Sequence, residues 1–180
     1  MDGSIIIPAI ADDGSLYPVD KMKAHVDGLL HLAVSVFVFD GDELLIQKRA
    51  SHKYHCAGQW ANTCCTHPHW HETVEACAAR RLGEELGFSV PLTRHETVEY
   101  AAPVGVGLRE HERVTLFSAQ VNSHDLHIQP DPEEVEAVRW IGPEALQREI
   151  RERPQDFTPW LRIYLDRFPG LKFGQAHIPA

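Results

Sequence analysis

The stretch over residues 60–88, WANTCCTHPHWHETVEACAARRLGEELGF, restricts this chain more than any other. Its first part, residues 62–68, is polar and cysteine-bearing and runs straight into a periodic segment. Val74, Ala78, Leu82 and Leu86 recur every four residues, the spacing of an apolar stripe on one helix face. The spacing predicts a helix that starts near His71–Glu72 and stops at Gly87, a residue type suited to ending helices. Arg81 and Glu85 lie four apart beside the stripe, so a cation and a carboxylate leave the helix on the same side. Any fold that accepts this segment must bury the stripe and keep the charged flank beside the loop that carries Cys65 and His67.

Around this segment the pattern predicts strands over 4–11, 29–39, 43–49, 93–102, 112–121 and 135–141. Asp12-Asp13-Gly14-Ser15 and Asp40-Gly41-Asp42 predict hairpin turns. Residues 18–25 predict a short helical turn carrying Lys21 and Lys23, and helices are expected over 143–152 and 159–168. Residues 50–70 lack a period, and a loop of that length inside a domain is usually functional. Strands, one helix, more strands, then helices predict an α/β (α+β) class with mixed β-sheet layers flanked by helices, in a single domain over 1–180.

The formal net charge of -9 argues against nucleic acid or an anionic membrane as the main partner, while leaving room for a local cluster of cations. No apolar run approaches the ~20 residues of a membrane span, and the N-terminal run is too short for a signal peptide, so a cytoplasmic protein is expected. Cys56, Cys64, Cys65 and Cys77 are crowded together without paired CxxC motifs, which predicts free thiols, with Cys64 a packing residue. Twelve histidines raise the odds of a metal site without locating it.

Glu110 and Glu112, two apart where a strand begins, would leave the same face about 7 Å apart. Two such carboxylates repel unless a cation lies between them. Together with His25, His31 and His67 they are a donor set for one divalent ion. Lys21, Arg49, Lys53 and Arg81, if they converge, form an anion site suited to phosphate oxygens. Trp160, at the start of the last helix, is a core or capping aromatic whose indole face can also stabilise a cation.

Glu72, Arg80 and then Leu82-Gly83-Glu84-Glu85-Leu86-Gly87-Phe88 resemble the Nudix signature, with two departures: Thr66 stands where its leading Gly would be, and Arg81 where a Glu follows the Arg. Both departures, with Leu30-His31-Leu32-Ala33, Gln47-Lys48-Arg49-Ala50, Gly58-Gln59-Trp60, Asn62-Thr63-Cys64-Cys65-Thr66-His67-Pro68, Glu110-His111-Glu112 and Thr158-Pro159-Trp160, are similar to the type I isopentenyl-diphosphate isomerase family. The resemblance implies a Nudix-like fold and interconversion of isopentenyl and dimethylallyl diphosphates. It implies that Cys65 and Glu112 are opposed acid/base groups, with Tyr100 assisting proton delivery and Trp160 covering the hydrocarbon. His25, His31, His67, Glu110 and Glu112 would hold Mn²⁺, Mg²⁺ or Zn²⁺. Glu85, with the Cys65 backbone, would place Mg²⁺ against the diphosphate. Lys21, Arg49, Lys53 and Arg81 would grip that diphosphate. The partner is then a small prenyl diphosphate, and monomer and homodimer both stay open.

Double-bond transposition adds a proton at one carbon and removes one from another through a tertiary carbocation, so the site must exclude water. Nearby cations are expected to favour the Cys65 thiolate as base. Two other readings are a Nudix hydrolase of a nucleoside or prenyl diphosphate and a non-catalytic sensor on the same scaffold. The Cys65/Glu112 pair, which hydrolysis does not need, speaks against the first.

Overall fold

The structure, a computed structural model, describes residues 4–174. Strands β1 (Ile6–Ile10) and β2 (Leu16–Asp20) form a hairpin that leads into helix α1 (Lys21–Asp27). Strand β3 (His31–Asp40) follows and turns through Gly41 into β4 (Glu43–Arg49). Two short strands, β5 (Trp60–Ala61) and β6 (Cys64–Thr66), precede helix α2 (Val74–Leu86). The hairpin β7 (Thr93–Gly105) and β8 (Leu108–Gln120), strand β9 (Val135–Ile141) and helices α3 (Pro143–Glu152) and α4 (Pro159–Arg167) complete the chain. The class is mixed α+β, as expected, with all nine strands in one sheet. The single-domain expectation also covers residues 1–3 and 175–180, which lie outside the described residues.

Strand β3 is the axis. It pairs in parallel with β8 along its length, from His31↔Glu112 to Phe39↔Gln120. In succession it also pairs antiparallel with β1 at His31, with β6 at residues 34–36, and with β4 at residues 39–40. Alternation along a strand sends neighbouring side chains to opposite faces. Val34, Val36 and Val38 therefore join Cys77, Ala78, Leu82 and Leu86 of α2 in one core. Ala33 and Phe37 join Trp160, Leu161 and Tyr164 of α4 in the other. Ser35 is the polar residue between Ala33 and Phe37, on the α4 side of β3. The same alternation separates the two adjacent cysteines. Cys64 is buried in the α2 core, and Cys65 borders the α4 core. Fully burying a leucine such as Leu82 or Leu86 contributes about 1.5–3 kcal/mol, so the predicted stripe fastens α2 to the sheet.

Several boundaries differ from the sequence expectation, each for a local reason. The helical turn expected over 18–25 is split: β2 runs to Asp20, whose side chain accepts from the Lys23 amide at 2.9 Å and caps α1. Helix α2 begins at Val74, not at His71–Glu72, because Thr73 caps it and His71 has φ 71, outside right-handed helical geometry. Glu72, left outside the helix, accepts from Arg80 at 2.7 and 2.8 Å and from the His69 amide at 2.9 Å. That pair of signature residues ties the loop to α2. The loop expected over 50–70 contains β5 and β6, too short to show a period. No helix among the described residues is long and apolar enough to cross a membrane.

Gly87 ends α2 at φ 74, and a Cβ there would meet the Gln129 carbonyl oxygen at 2.7 Å. Gly87→Ala should lower stability by about 1–3 kcal/mol, because strained backbone and a backbone contact act together. Thermal unfolding checks this, and an unchanged midpoint would contradict it.

Candidate active site

The β3–β8 register sets His31 beside Glu112, and the β7–β8 register sets Tyr100 opposite Glu112. Helix α1 supplies His25 from above the sheet edge, and the residue after β6 supplies His67. Donor atoms of His25, His31, His67 and Glu112 all lie within 4.8 Å of one another, and all four residues are buried. Glu110, the fifth residue of the expected set, lies in a second group that shares His25 with the first and adds His55, whose Nε2 donates to Glu110 Oε1 at 3.2 Å. His55 was not singled out in the sequence, where it is one histidine among twelve.

The donor chemistry fits a divalent cation. His25 and His31 each donate through Nδ1 to a backbone carbonyl, Lys21 and Leu29 respectively, both at 2.7 Å. That fixes the N–H at Nδ1 and leaves each Nε2 with no hydrogen-bond partner among the described residues. Fixing one ring nitrogen to a carbonyl is how ligand imidazoles are oriented. His67 Nε2 donates to Glu112 Oε1 at 2.7 Å, and burial pushes its pKa down to about 3, so the ring is neutral. Burial likewise lowers His55, to about 2. Imidazole nitrogens gathered around a carboxylate are a cation-accepting arrangement.

Tyr100 links the two carboxyl groups, with its hydroxyl 2.7 Å from Glu110 Oε2 and 2.9 Å from Glu112 Oε2. A phenol has one proton to give, so the second contact needs a proton from a carboxyl group. Burial and the charge of Glu112 push Glu110 well above the carboxylate range, which makes it the protonated partner. Burial acts on Glu112 too. The flanking His67, which donates to it, and His31 beside it outweigh that, and Glu112 is held well below that range.

Cys65 lies on the same face. Its Sγ donates to Asn62 Oδ1 at 2.9 Å and is 3.2 Å from Ser35 Oγ, which is 2.9 Å from the Tyr164 hydroxyl. The expected thiolate is not favoured by this surround. Burial pushes Cys65 up to about 12, and the Ser35 and Asn62 hydrogen bonds offset only part of that. Sequence reading missed Ser35, Asn62 and Tyr164 as partners of the thiol, because contacts spanning up to 129 residues leave no local period.

The four cations converge as expected. Lys21, Arg49, Lys53 and Arg81 line one cavity together with Cys65, Glu85, Tyr100, Glu112 and Trp160. The Cys65 side chain and the Glu112 carboxylate thus border the same cavity. The cations are not bare. Arg81 bonds Glu85 at 2.7 Å and Glu84 at 2.9 Å, and Lys53 bonds Glu134 at 2.5 Å. Glu134 also lies 3.4 Å from Arg81, a carboxylate that the sequence reading did not place here. Arg49 stacks over Trp160 at 5.4 Å and donates to the His55 carbonyl at 3.3 Å. Gln47 donates to Glu85 at 2.9 Å, fixing the carboxylate that the resemblance pairs with Mg²⁺.

A NUDIX domain model matches residues 29–161. A solved structure from Deinococcus radiodurans superposes with a TM-score of 0.69 over 90% of this chain and 98% of that one, at 13% identity. The MutT NUDIX hydrolase from Burkholderia pseudomallei gives a TM-score of 0.60 over 76% and 96%, at 24% identity. At these identities the likeness speaks for the fold. The chain belongs to the Nudix superfamily. Its sequence is also 51% identical over 174 residues to an isopentenyl-diphosphate Delta-isomerase of Cereibacter sphaeroides, covering 96% of this chain and 97% of that one. It is 49% identical over 169 residues to the enzyme of that name from Rhodobacter capsulatus, covering 93% and 95%. Within the superfamily it is a member of the isopentenyl-diphosphate Delta-isomerase family.

Lys21 gives the site a pH edge. Burial, and then Lys53 and Arg81, lower its pKa to about 8, so it is a cation below that pH and neutral above it. Affinity for inorganic diphosphate should therefore fall as pH rises through about 8. Lys21→Arg, whose charge persists, should remove that step in a calorimetric titration. A step of equal size in the variant would assign it elsewhere.

Proposed function

We propose that this chain interconverts isopentenyl diphosphate and dimethylallyl diphosphate, with Cys65 and Glu112 as the two proton-handling groups. The observation that carries the reading is the shared cavity: thiol, carboxylate, four cations and an indole border one space. Hydrolysis of a phosphate ester needs neither the thiol nor the indole.

The reaction balances without an oxidant. The π electrons of the terminal alkene take a proton at the CH₂ carbon and leave a tertiary cation at the branched carbon. A base then removes a proton from the neighbouring CH₂ on the diphosphate side, and that C–H pair becomes the new double bond. The diphosphate stays attached. Lys21, Arg49, Lys53 and Arg81 hold it, and this binding energy orients a hydrocarbon that offers no polar handle. Trp160 closes over the carbon chain, its face negative toward the cationic carbon and its ring unreactive as a nucleophile. Burial of Tyr100 and Glu112 helps to keep out the water that would trap the cation.

One group must carry a proton while the other lacks it, and the thiol and the Glu112 carboxylate satisfy that requirement. Each turnover strips one and loads the other, so both must re-equilibrate before the next. Tyr100, bonded to both Glu110 and Glu112, links Glu112 to a second carboxyl group with which it can exchange a proton. His25, His31, His67, Glu110 and Glu112 would hold one Mn²⁺, Mg²⁺ or Zn²⁺ ion, and Glu85 with the Cys65 backbone a Mg²⁺ ion. When bound, these ions supply fixed positive charge against the carboxylates and the diphosphate. Three imidazoles suit a transition ion better than Mg²⁺ at the first site. The enzyme would act in the cytoplasm on its small substrate, as a monomer or homodimer, without nucleic acid or membrane.

Incubation with isopentenyl diphosphate and Mg²⁺ in heavy water should yield dimethylallyl diphosphate carrying deuterium. Cys65→Ala and Glu112→Gln should each lower turnover by at least about 10²–10⁴-fold with the fold intact by circular dichroism. Release of inorganic phosphate or diphosphate in place of isomerisation would favour the hydrolase reading and reject this one.

A further inference from the structure

The thiol is held by a chain whose hydrogen-bond directions can be deduced. Asn62 Nδ2 donates to the Val36 carbonyl at 3.0 Å and to the Cys64 carbonyl at 3.4 Å, which turns Asn62 Oδ1 toward Cys65. An amide oxygen only accepts, so the S–H proton points at Asn62. The sulfur lone pairs are then what Ser35 finds at 3.2 Å, so Ser35 Oγ–H donates to Sγ. Its own oxygen is left to accept from the Tyr164 hydroxyl at 2.9 Å. The result is one directed run, Tyr164 to Ser35 to Cys65 to Asn62, drawn from α4, β3, β6 and the turn before β6.

Two features show that this run is more than filler. Ser35 is 2% exposed and Tyr164 0%, so each hydroxyl is removed from water and needs its partner. Ser35 is also the direct cross-strand partner of Cys65 in the β3–β6 register, with no slack between them. On α4, Trp160 and Tyr164 lie one turn apart and both are buried. The helix that brings the indole to the cavity therefore also brings the hydroxyl that ends the run.

We propose that Ser35 and Tyr164 are positioning residues of the isomerase, holding the Cys65 sulfur at the carbon from which it exchanges a proton. This rests on the isomerase reading above. Through Tyr164, the seating of α4 fixes the indole and the thiol as one unit. After the S–H proton is gone, Ser35 still donates to the sulfur, so the sulfur keeps its direction throughout the cycle. Neither hydroxyl touches the substrate, and both act through Cys65.

The test compares full-length wild type, Ser35→Ala, Tyr164→Phe and the double variant with isopentenyl diphosphate and Mg²⁺. Each single change should lower kcat by about 10–100-fold with KM moved less than about threefold, because the hydroxyls orient a reacting group without contacting the diphosphate. The double variant should be close to the slower single one, as expected of two links in one chain. The solvent deuterium isotope effect on kcat should rise in both variants, since the exchangeable proton handled by the sulfur moves more slowly. Ser35→Thr, which keeps the hydroxyl, should recover most of the lost kcat. An unchanged kcat in Tyr164→Phe, multiplicative losses in the double variant, or an unchanged isotope effect would overturn the proposal. An inactive wild type would instead count against the isomerase reading.

Discussion

The site depends on the parallel pairing of β3 with β8. Its register, His31 opposite Glu112, decides which side chains of the two strands meet. Because side chains alternate, a slip of one residue would send Glu110, Glu112, His31 and Ser35 to the α2 core and bring valines to the cavity. The register is held by apolar residues farther along the same strands. Val114 and Leu116 pack with Phe37 on the α4 side, and Phe117 packs with Val36 and Val38 on the α2 side. The greasy half of the sheet thus fixes the geometry of its polar half. Water-exposed charges could not do this, because exposed ion pairs are worth little.

Placing this much charge in a buried cavity has to be offset locally. Glu134 lies between Lys53 and Arg81, and Glu85 completes the set against Arg81. These carboxylates keep the cations aligned where they would otherwise repel one another. Their presence also sets the demand on a ligand: an anion that displaces such contacts must carry several negative charges. A diphosphate with its metal meets that demand better than a neutral or singly charged group. On the other side of the cavity the same logic uses protons. Glu110 keeps its proton, Glu112 is held without one beside His31 and His67, and Tyr100 lies between the two carboxyl groups.

Much of this could be read from the chain, and the remainder divides along a physical line. The α2 stripe, the two-residue spacing of Glu110 and Glu112 and the β3 run are local periods, and the structure contains them. His25 and His31 were grouped although their separation fits neither a helix nor a strand; the structure explains the spacing, because α1 ends and β3 begins between them. His55, Ser35, Tyr164 and Glu134 were missed. Each owes its place to a partner dozens of residues away, and nothing in its own neighbourhood marks it. The start of α2 was misjudged because Glu72 looks like a first-turn acid, whereas its carboxylate is committed to Arg80 and the His69 amide.

Arg81 is where the scaffold and its chemistry diverge. The Nudix signature asks for a glutamate at this position, and a carboxylate there would add a further negative charge beside Glu84, Glu85 and Glu134. An arginine inverts that charge. It binds Glu84 and Glu85 and approaches Glu134, and burial is outweighed by these carboxylates, so its pKa is raised. A guanidinium fixed on three sides by carboxylates presents a rigid, permanent cation to the cavity. Such a cavity suits a multiply charged anion, and it retains fewer carboxylates to position an attacking water. On a scaffold shared with hydrolases, that single exchange of charge fits the proposed gripping of a phosphate better than its cutting, and it accords with the proposal that the thiol and the carboxylate of the same cavity act on carbon.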